Sequence, residues 1–220
     1  MTVIIPTLDE EGRVGDAIDS AFAAGAAEVI VADGGSRDAT VAVAHQHGAR
    51  VIEGESMRSK QMNRAAAAAS HDALVFLHAD TSLPKGACDL VVEALAHGVV
   101  FGGFQLRFTE PSLRLRVAAA LINLRTRMTR CPWGDQAQFV SRTAFLETGG
   151  FLEIPIMEDY EIAIRMKRRG RTAVLPQRVT TSGRRFLTRG LVRTTFINWR
   201  VIVGWRLGAD PEKLARIYRG

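Results

Sequence analysis

Cysteine is scarce in this sequence: only Cys88 and Cys131 occur, each isolated. Neither has a partner at metal-ligand spacing or a histidine cluster beside it. No zinc-binding pattern is therefore present, and nothing requires an oxidising compartment. Long apolar runs are lacking as well, and none approaches the roughly 20 residues that cross a bilayer. Met1 leads directly into Val3-Ile4-Ile5 and Pro6, without the basic leader and cleavage site of a secretory signal. Cytoplasmic residence is the expectation. Aromatics make up 7% and do not interleave with basic residues, so nucleic acid is not an expected partner. No Gly-Xaa-Gly-Xaa-Xaa-Gly follows the first apolar run, which argues against a dehydrogenase.

What is present is the balance of a globular domain with a real core, 47% hydrophobic and 24% charged over 220 residues. The net charge of +6 is uneven. Arginines crowd into 107–142 and 165–219, while acids are denser in the first half. A basic second half of this kind suits a phosphorylated substrate or an anionic membrane.

Short β-branched runs alternate with helical stretches through the first hundred residues. Thr2–Ile5, Glu28–Ala32, Arg50–Ile52 and Ala73–Leu77 read as strands. Helices are expected near 11–24, 38–47 and 56–70, with Pro84 at the first turn of another. Apolar runs separated by helices imply an open α/β domain, its mostly parallel sheet covered on both faces. Beyond Gly98 the spacing predicts a strand over 99–108 interrupted at Gly102-Gly103, and a basic helix over 112–130. A strand over 136–141, a helix over 158–169, a strand over 172–175 and a helical stretch over 187–218 follow.

Ligands of open α/β sheets bind beyond the carboxyl ends of the strands. Here the first strand runs into Pro6-Thr7-Leu8-Asp9-Glu10-Glu11, the second into Asp33-Gly34-Gly35-Ser36, the fourth into His78-Ala79-Asp80. One strand-end carboxylate is usually a cap or turn former. Three in one half-sheet point to a rim that holds a polar ligand or a metal. A divalent ion bridging a diphosphate needs few protein ligands, and oxygen donors favour Mg2+ or Mn2+ over zinc. Glu158 and Asp159 open a predicted helix, where the macrodipole favours acids. One positioned carboxylate there suffices to deprotonate an acceptor hydroxyl.

Taken in order, Ile-Ile-Pro-Thr-Leu-Asp-Glu, Val-Ala-Asp-Gly-Gly-Ser-Arg-Asp-Ala-Thr, Phe-Leu-His-Ala-Asp-Thr and Glu-Asp resemble the family 2 glycosyltransferases, whose fold is called GT-A. The match spans roughly residues 2–182. More narrowly, Gln61-Met62-Asn63, Leu77-His78-Ala79-Asp80-Thr81 and Trp133-Gly134-Asp135-Gln136 look like a small bacterial subgroup labelled arsenosugar-biosynthesis glycosyltransferases. The resemblance implies a GT-A domain over 1–182, with a Rossmann-like nucleotide-sugar-binding half (1–98), an acceptor half (99–182) and appended basic helices (183–220). It implies an inverting transfer of a hexose from a nucleotide sugar, UDP-linked in most of the family, to an acceptor hydroxyl. By position, Pro6, Thr7, Asp9, Glu10, Asp33, Gly34, Lys60, Asn63, His78 and Ala79 would bind the nucleotide sugar, with Asp33 at the base. Asp80 would hold Mg2+ or Mn2+, and Asp159 would be the general base, with Glu158 beside it. Trp133, Asp135 and Gln136 are the candidate acceptor contacts, although Trp133 equally suits a core.

Two departures from the family pattern are visible. Asp-Xaa-Asp is His78-Ala79-Asp80 here, and Asp-Asp-Gly-Ser is Asp33-Gly34-Gly35-Ser36. The Gln-Xaa-Xaa-Arg-Trp signature of processive synthases is absent, which favours single transfer to a small or lipid acceptor. Two other readings stand beside this one, a nucleotidyltransferase and a catalytically silent nucleotide-binding module. The acidic loop after the first strand argues against the former, and retention of Asp80 and Asp159 against the latter. The two basic apolar segments, 113–130 and 191–207, are expected to pack on the sheet or form a homodimer, with peripheral membrane contact as the alternative.

Overall fold

A computed structural model of the chain describes residues 1–219. Its first half alternates as the sequence predicts: β1 (Thr2–Thr7), α1 (Val14–Ala23), β2 (Glu28–Asp33), α2 (Thr40–Gln46), β3 (Arg50–Glu53), α3 (Arg58–Ala68) and β4 (Ala73–Phe76). Then come the short β5 (Thr81–Ser82), α4 (Ala87–Ala96), β6 (Val99–Phe108) and α5 (Leu113–Thr129). A 3₁₀ turn, Gly134–Gln136, precedes β7 (Gln138–Ser141), α6 (Arg142–Glu147), α7 (Glu158–Lys167) and β8 (Arg171–Thr181). The chain ends in α8 (Arg184–Arg189), α9 (Leu191–Arg206) and α10 (Pro211–Arg219).

All the strands join one sheet in the order β3-β2-β1-β4-β7-β6-β8-β5. Strands β1 to β4 pair in parallel, β7 runs antiparallel to both its neighbours, and β6 lies parallel to β8. The parallel half is the one whose strands read as unbroken apolar runs, because both of its faces are buried. Val3, Ile5, Val29 and Val31 face one core with Ile18, Val91 and Phe104. Ile4, Ile30 and Phe76 face the other with Met62, Phe145 and Ile162. In that second core Phe76, Phe145 and Phe151 meet pairwise at centroid distances of 4.8–5.2 Å. Each such pair contributes about 0.5–1.5 kcal/mol beyond its buried area. Ile197 and Val201 of α9 and Leu214 and Ala215 of α10 belong to the same core.

Several local expectations are corrected. Pro84 precedes α4 rather than opening it: its carbonyl accepts the Ala87 N–H in a turn that Gly86 completes at φ +71°. The 136–141 strand is shortened because Ala137 takes φ +45° and separates the 3₁₀ turn from β7. Gly102 and Gly103 do not interrupt β6. A Cβ at Gly102 would lie 2.6 Å from the Ala173 carbonyl oxygen, and one at Gly103 2.6 Å from Pro132 Cβ. The glycines permit close packing inside a continuous strand. The 187–218 stretch is split at Gly190 and Gly208, which adopt φ +81° and +78°.

Candidate functional site

The carboxyl ends of β1 and β2 are fastened together by their own polar side chains. Asp33 is fully buried; its Oδ1 accepts from the Thr7 and Ser36 hydroxyls at 3.0 and 2.5 Å. Its Oδ2 accepts the N–H groups of Gly35 and Ser36, both at 2.8 Å. Burial pushes this carboxyl up, but the hydrogen bonds from Ser36, Gly35 and Thr7 outweigh it and hold Asp33 below the usual carboxylate range. Asp33 therefore shapes the turn.

The loop after β1 is zipped to that turn. Asp9, at φ +55°, accepts the Arg37 N–H at 2.7 Å and donates its own N–H to Ser36 Oγ at 2.9 Å. Glu10 N–H donates to Thr40 Oγ1 at 2.8 Å, and Glu11 accepts the Ala39 N–H at 2.8 Å. Gln61 on α3 donates to the carbonyls of both Thr7 and Ala32 at 2.7 Å, fixing the spacing of the two strand ends. A Cβ on Gly34 would reach 3.0 Å from that amide, so the close approach needs glycine there. Beside the zipped ends opens a cavity of about 310 Å³, lined by Pro6, Thr7, Glu10, Arg58, Ile154 and Pro155 among others.

Lys60 and Asn63, expected at the nucleotide, are engaged elsewhere. Lys60 pairs with Glu55 at 2.6 Å and lies 3.9 Å from Glu153. The Asn63 amide bonds both the N–H and the carbonyl of Phe151, bracing the loop before α7. Ala79 is a buried core residue between His78 and Asp80.

The acidic pair sits at the start of α7, where Met157 turns the chain at φ +72°. Glu158 is 2% exposed and ion-paired with Arg58 Nε. Arg58 opens α3 and also reaches Asp159 Oδ2 at 4.0 Å and His78 Nε2 at 3.2 Å. Burial works against the guanidinium charge, but the Glu158 and Asp159 carboxylates overcome this and raise its pKa. Burial, with Arg58 adding to it, pushes His78 down to about 3. His78 is therefore neutral, and since a guanidinium only donates, its Nε2 is the acceptor. This ring faces Arg58.

Asp159 is held by backbone donors. Its Oδ1 accepts the Tyr160 N–H and its Oδ2 the Gly134 N–H, both at 2.7 Å. The Asp159 carbonyl accepts from Gln138 Nε2 at 2.8 Å. Gly134 begins the 3₁₀ turn that also carries Asp135 and Gln136. Asp135 Oδ1 is buried without a hydrogen-bond partner. Burial, opposed by Arg125 and reinforced by the charges of Asp159 and Asp80, pushes this carboxyl up to about 6. Asp80 is likewise raised, by burial first and then by Glu10, and its Oδ1 accepts a long 3.3 Å hydrogen bond from the Thr81 hydroxyl.

Gln136, expected to touch the acceptor, is fully buried and braces the turn. Its Oε1 accepts from Thr126 Oγ1 (2.8 Å), Arg125 Nη2 (3.1 Å) and the Trp133 N–H (3.2 Å); its Nε2 donates to the Phe104 carbonyl (2.9 Å). Trp133 is partly buried, with the Arg125 guanidinium 3.5 Å above its ring and Tyr160 edge-on at 6.4 Å. Sequence reasoning missed Arg58 and Arg125. Nothing in their local pattern separates them from the other arginines.

The family model described as Glycosyl transferase family 2 matches residues 2–150. No curated protein matches the sequence. Among solved structures, a mycobacterial protein is 24% identical over 82% of this chain and 64% of its own, with a TM-score of 0.58. Glucosyl-3-phosphoglycerate synthase from Mycobacterium tuberculosis, in complex with Mn2+ and uridine-diphosphate-glucose, is 24% identical over 82% of this chain and 69% of its own, TM-score 0.56. S. aureus TarS 1-349 is 15% identical over 99% of this chain and 69% of its own, TM-score 0.66. The chain thus spans about two thirds of the length of these structures. At such identities the likeness establishes the fold.

Proposed function

The chain belongs to glycosyl transferase family 2, and from that premise we propose that it transfers one hexose from a UDP-linked donor to a small or lipid-borne hydroxyl acceptor, with inversion. The observation that carries this reading is the arrangement around Asp159. It sits near a second carboxylate, Asp135, and within reach of Arg58, which also lines the cavity beside the β1 end. In this reading residues 1–182 form the catalytic unit and 183–220 an appended basic segment.

The nucleotide occupies the cavity at Pro6, Thr7 and Glu10, with the zipped Asp9 and Asp33 loops framing it and Gly34 admitting the Gln61 amide that spaces the two strand ends. The acceptor hydroxyl lies against Asp159 and gives up its proton to the free lone pairs of that carboxylate. Its oxygen bonds to the anomeric carbon as the bond from that carbon to the diphosphate breaks. The electron pair leaves with the nucleoside diphosphate, and the configuration inverts. Asp135, partly exposed on the 3₁₀ turn beside Asp159, receives a second polar group of the acceptor.

Among the described residues, no cluster of three or more His, Cys, Asp or Glu could hold a metal by itself. The residues present nevertheless fit Mg2+ or Mn2+ in a diphosphate complex. Asp80 is a hard oxygen donor whose negative charge is left poorly neutralised, and phosphate oxygens and water can complete an octahedron. Such an ion, held by Asp80, would supply charge neutralisation for the departing diphosphate. His78, turned to Arg58, is not needed as a ligand. The narrower placing, in the subgroup labelled arsenosugar-biosynthesis glycosyltransferases, rests on the resemblance of its sequence motifs. Gln61, Asn63, Gly134 and Gln136 each brace the site.

The test is a panel of nucleotide sugars assayed with Mn2+ for transfer and for donor hydrolysis, with UDP binding measured in parallel. Turnover of one donor that Asp159→Asn abolishes without weakening UDP binding is the expected result. Failure of every nucleotide to bind overturns the proposal.

A further inference from the structure

Helix α5 is apolar on two sides. At 100° per residue, Leu115, Ala118, Ala119, Ile122 and Thr126 gather on the side facing the sheet. There Asn123 clamps β6, accepting the Leu106 N–H and donating to the Leu106 carbonyl, both at 2.9 Å. Leu113, Val117, Leu121, Leu124 and Met128 form a second stripe on the opposite side. They are 68%, 48%, 60%, 54% and 77% exposed. The sequence expectation that this helix buries its apolar residues by packing holds for one face only.

The surroundings of the stripe select its partner. Arg114, Arg116, Arg127 and Arg130 are exposed beside it, and residues 111–134 contain no Asp or Glu. A second copy laid over this face would set arginine against arginine. Anionic headgroups complement the same rim, while the apolar stripe enters the acyl boundary beneath them. Among the described residues no helix is long and apolar enough to cross a membrane, so contact of this kind lies in the surface plane. We infer that the outer face of α5 docks on an anionic lipid bilayer. Arg125 of the same helix stacks on Trp133 at 3.5 Å, two residues before Asp135. Docking therefore holds the acceptor side of the site at the bilayer, which deepens the proposed function by favouring a lipid-borne acceptor. The docking itself does not depend on glycosyl transfer.

The experiment is co-sedimentation of the whole chain at low salt with phosphatidylcholine vesicles, with and without about 30% phosphatidylglycerol. The wild type is expected to sediment with the anionic vesicles and to be released by high salt. Leu121→Glu/Leu124→Glu should lower that binding roughly tenfold or more, with its unfolding temperature unchanged because both positions are exposed. No sedimentation of the wild type, or full binding by the α5 variant, overturns the inference. So does a wild-type dimer in solution that the variant dissociates, since a second copy would then cover the face. As a further check, Phe196→Glu/Trp199→Glu changes exposed apolar residues on α9. Loss of binding there with none in the α5 variant also overturns it. Loss of nucleotide binding or turnover would refute the proposed function without touching this result.

Discussion

The Gly134 N–H donates to Asp159 Oδ2 at 2.7 Å, joining residues 25 apart in sequence. A backbone donor, fixed by the 3₁₀ turn, thus sets the direction of the carboxylate proposed as the base. A Cβ at position 134 would lie 2.9 Å from His78 Nε2 and 3.1 Å from Asp159 Oδ2. Gly134→Ala should therefore displace the Asp159 carboxylate. We expect kcat to fall about 10–100-fold, the scale on which misplaced catalytic groups act. UDP affinity should stay unchanged, as calorimetric titration would show. Unaltered kcat would separate this contact from catalysis.

Arg58→Ala removes the partner of a carboxylate that is 2% exposed. Breaking a fully buried pair costs about 3–5 kcal/mol; Arg58 retains 41% exposure, so roughly 2–3 kcal/mol is expected here. Urea unfolding measures it. Arg58→Met/Glu158→Leu, which leaves no buried charge unpaired, should recover most of the loss.

Asp135 ties stability to pH. Its folded-state pKa, pushed up to about 6, lies above the ordinary carboxylate value. The folded chain then binds the proton more tightly than the unfolded one. The associated stability is complete below about pH 4 and is lost as pH rises through about 6. Asp135→Asn removes the buried charge, so its gain in melting temperature should be larger at pH 8 than at pH 5. An equal change at the two pH values would contradict this placement of Asp135.

Gln136→Ala deletes the amide that joins α5, β6 and the 3₁₀ turn. It leaves the buried Phe104 carbonyl without that donor, while the Thr126 hydroxyl keeps its bonds to the Ile122 carbonyl and Arg125. A buried polar group left unmet costs about 1–3 kcal/mol. We expect a loss within that range by denaturant unfolding. With an acceptor in hand, its KM should rise more than the KM for the donor.

The parallel half of the fold was legible because its signals are local. Unbroken apolar runs such as the one over residues 29–32, bounded by turn residues, report burial on both faces within a few residues. The second half was read with less success. Ala137 and Met157 take left-handed conformations that no glycine announces, and these set the start of β7 and the N-terminus of α7. The 3₁₀ turn over Gly134–Gln136 was read partly as strand for the same reason.

The sequence by itself determined the open α/β architecture and the acidic strand ends. It also marked Glu158-Asp159 at a helix start, since residue periodicity and capping chemistry act over one or two turns of chain. Only the tertiary structure decided how those groups are used. It closed the Arg58–Glu158 pair across 100 residues, brought Gly134 to Asp159, and turned Gln136 inward as a brace. It also left one of the two apolar faces of α5 uncovered. Such contacts depend on side-chain direction and packing between distant elements, and these have no fixed spacing along the chain.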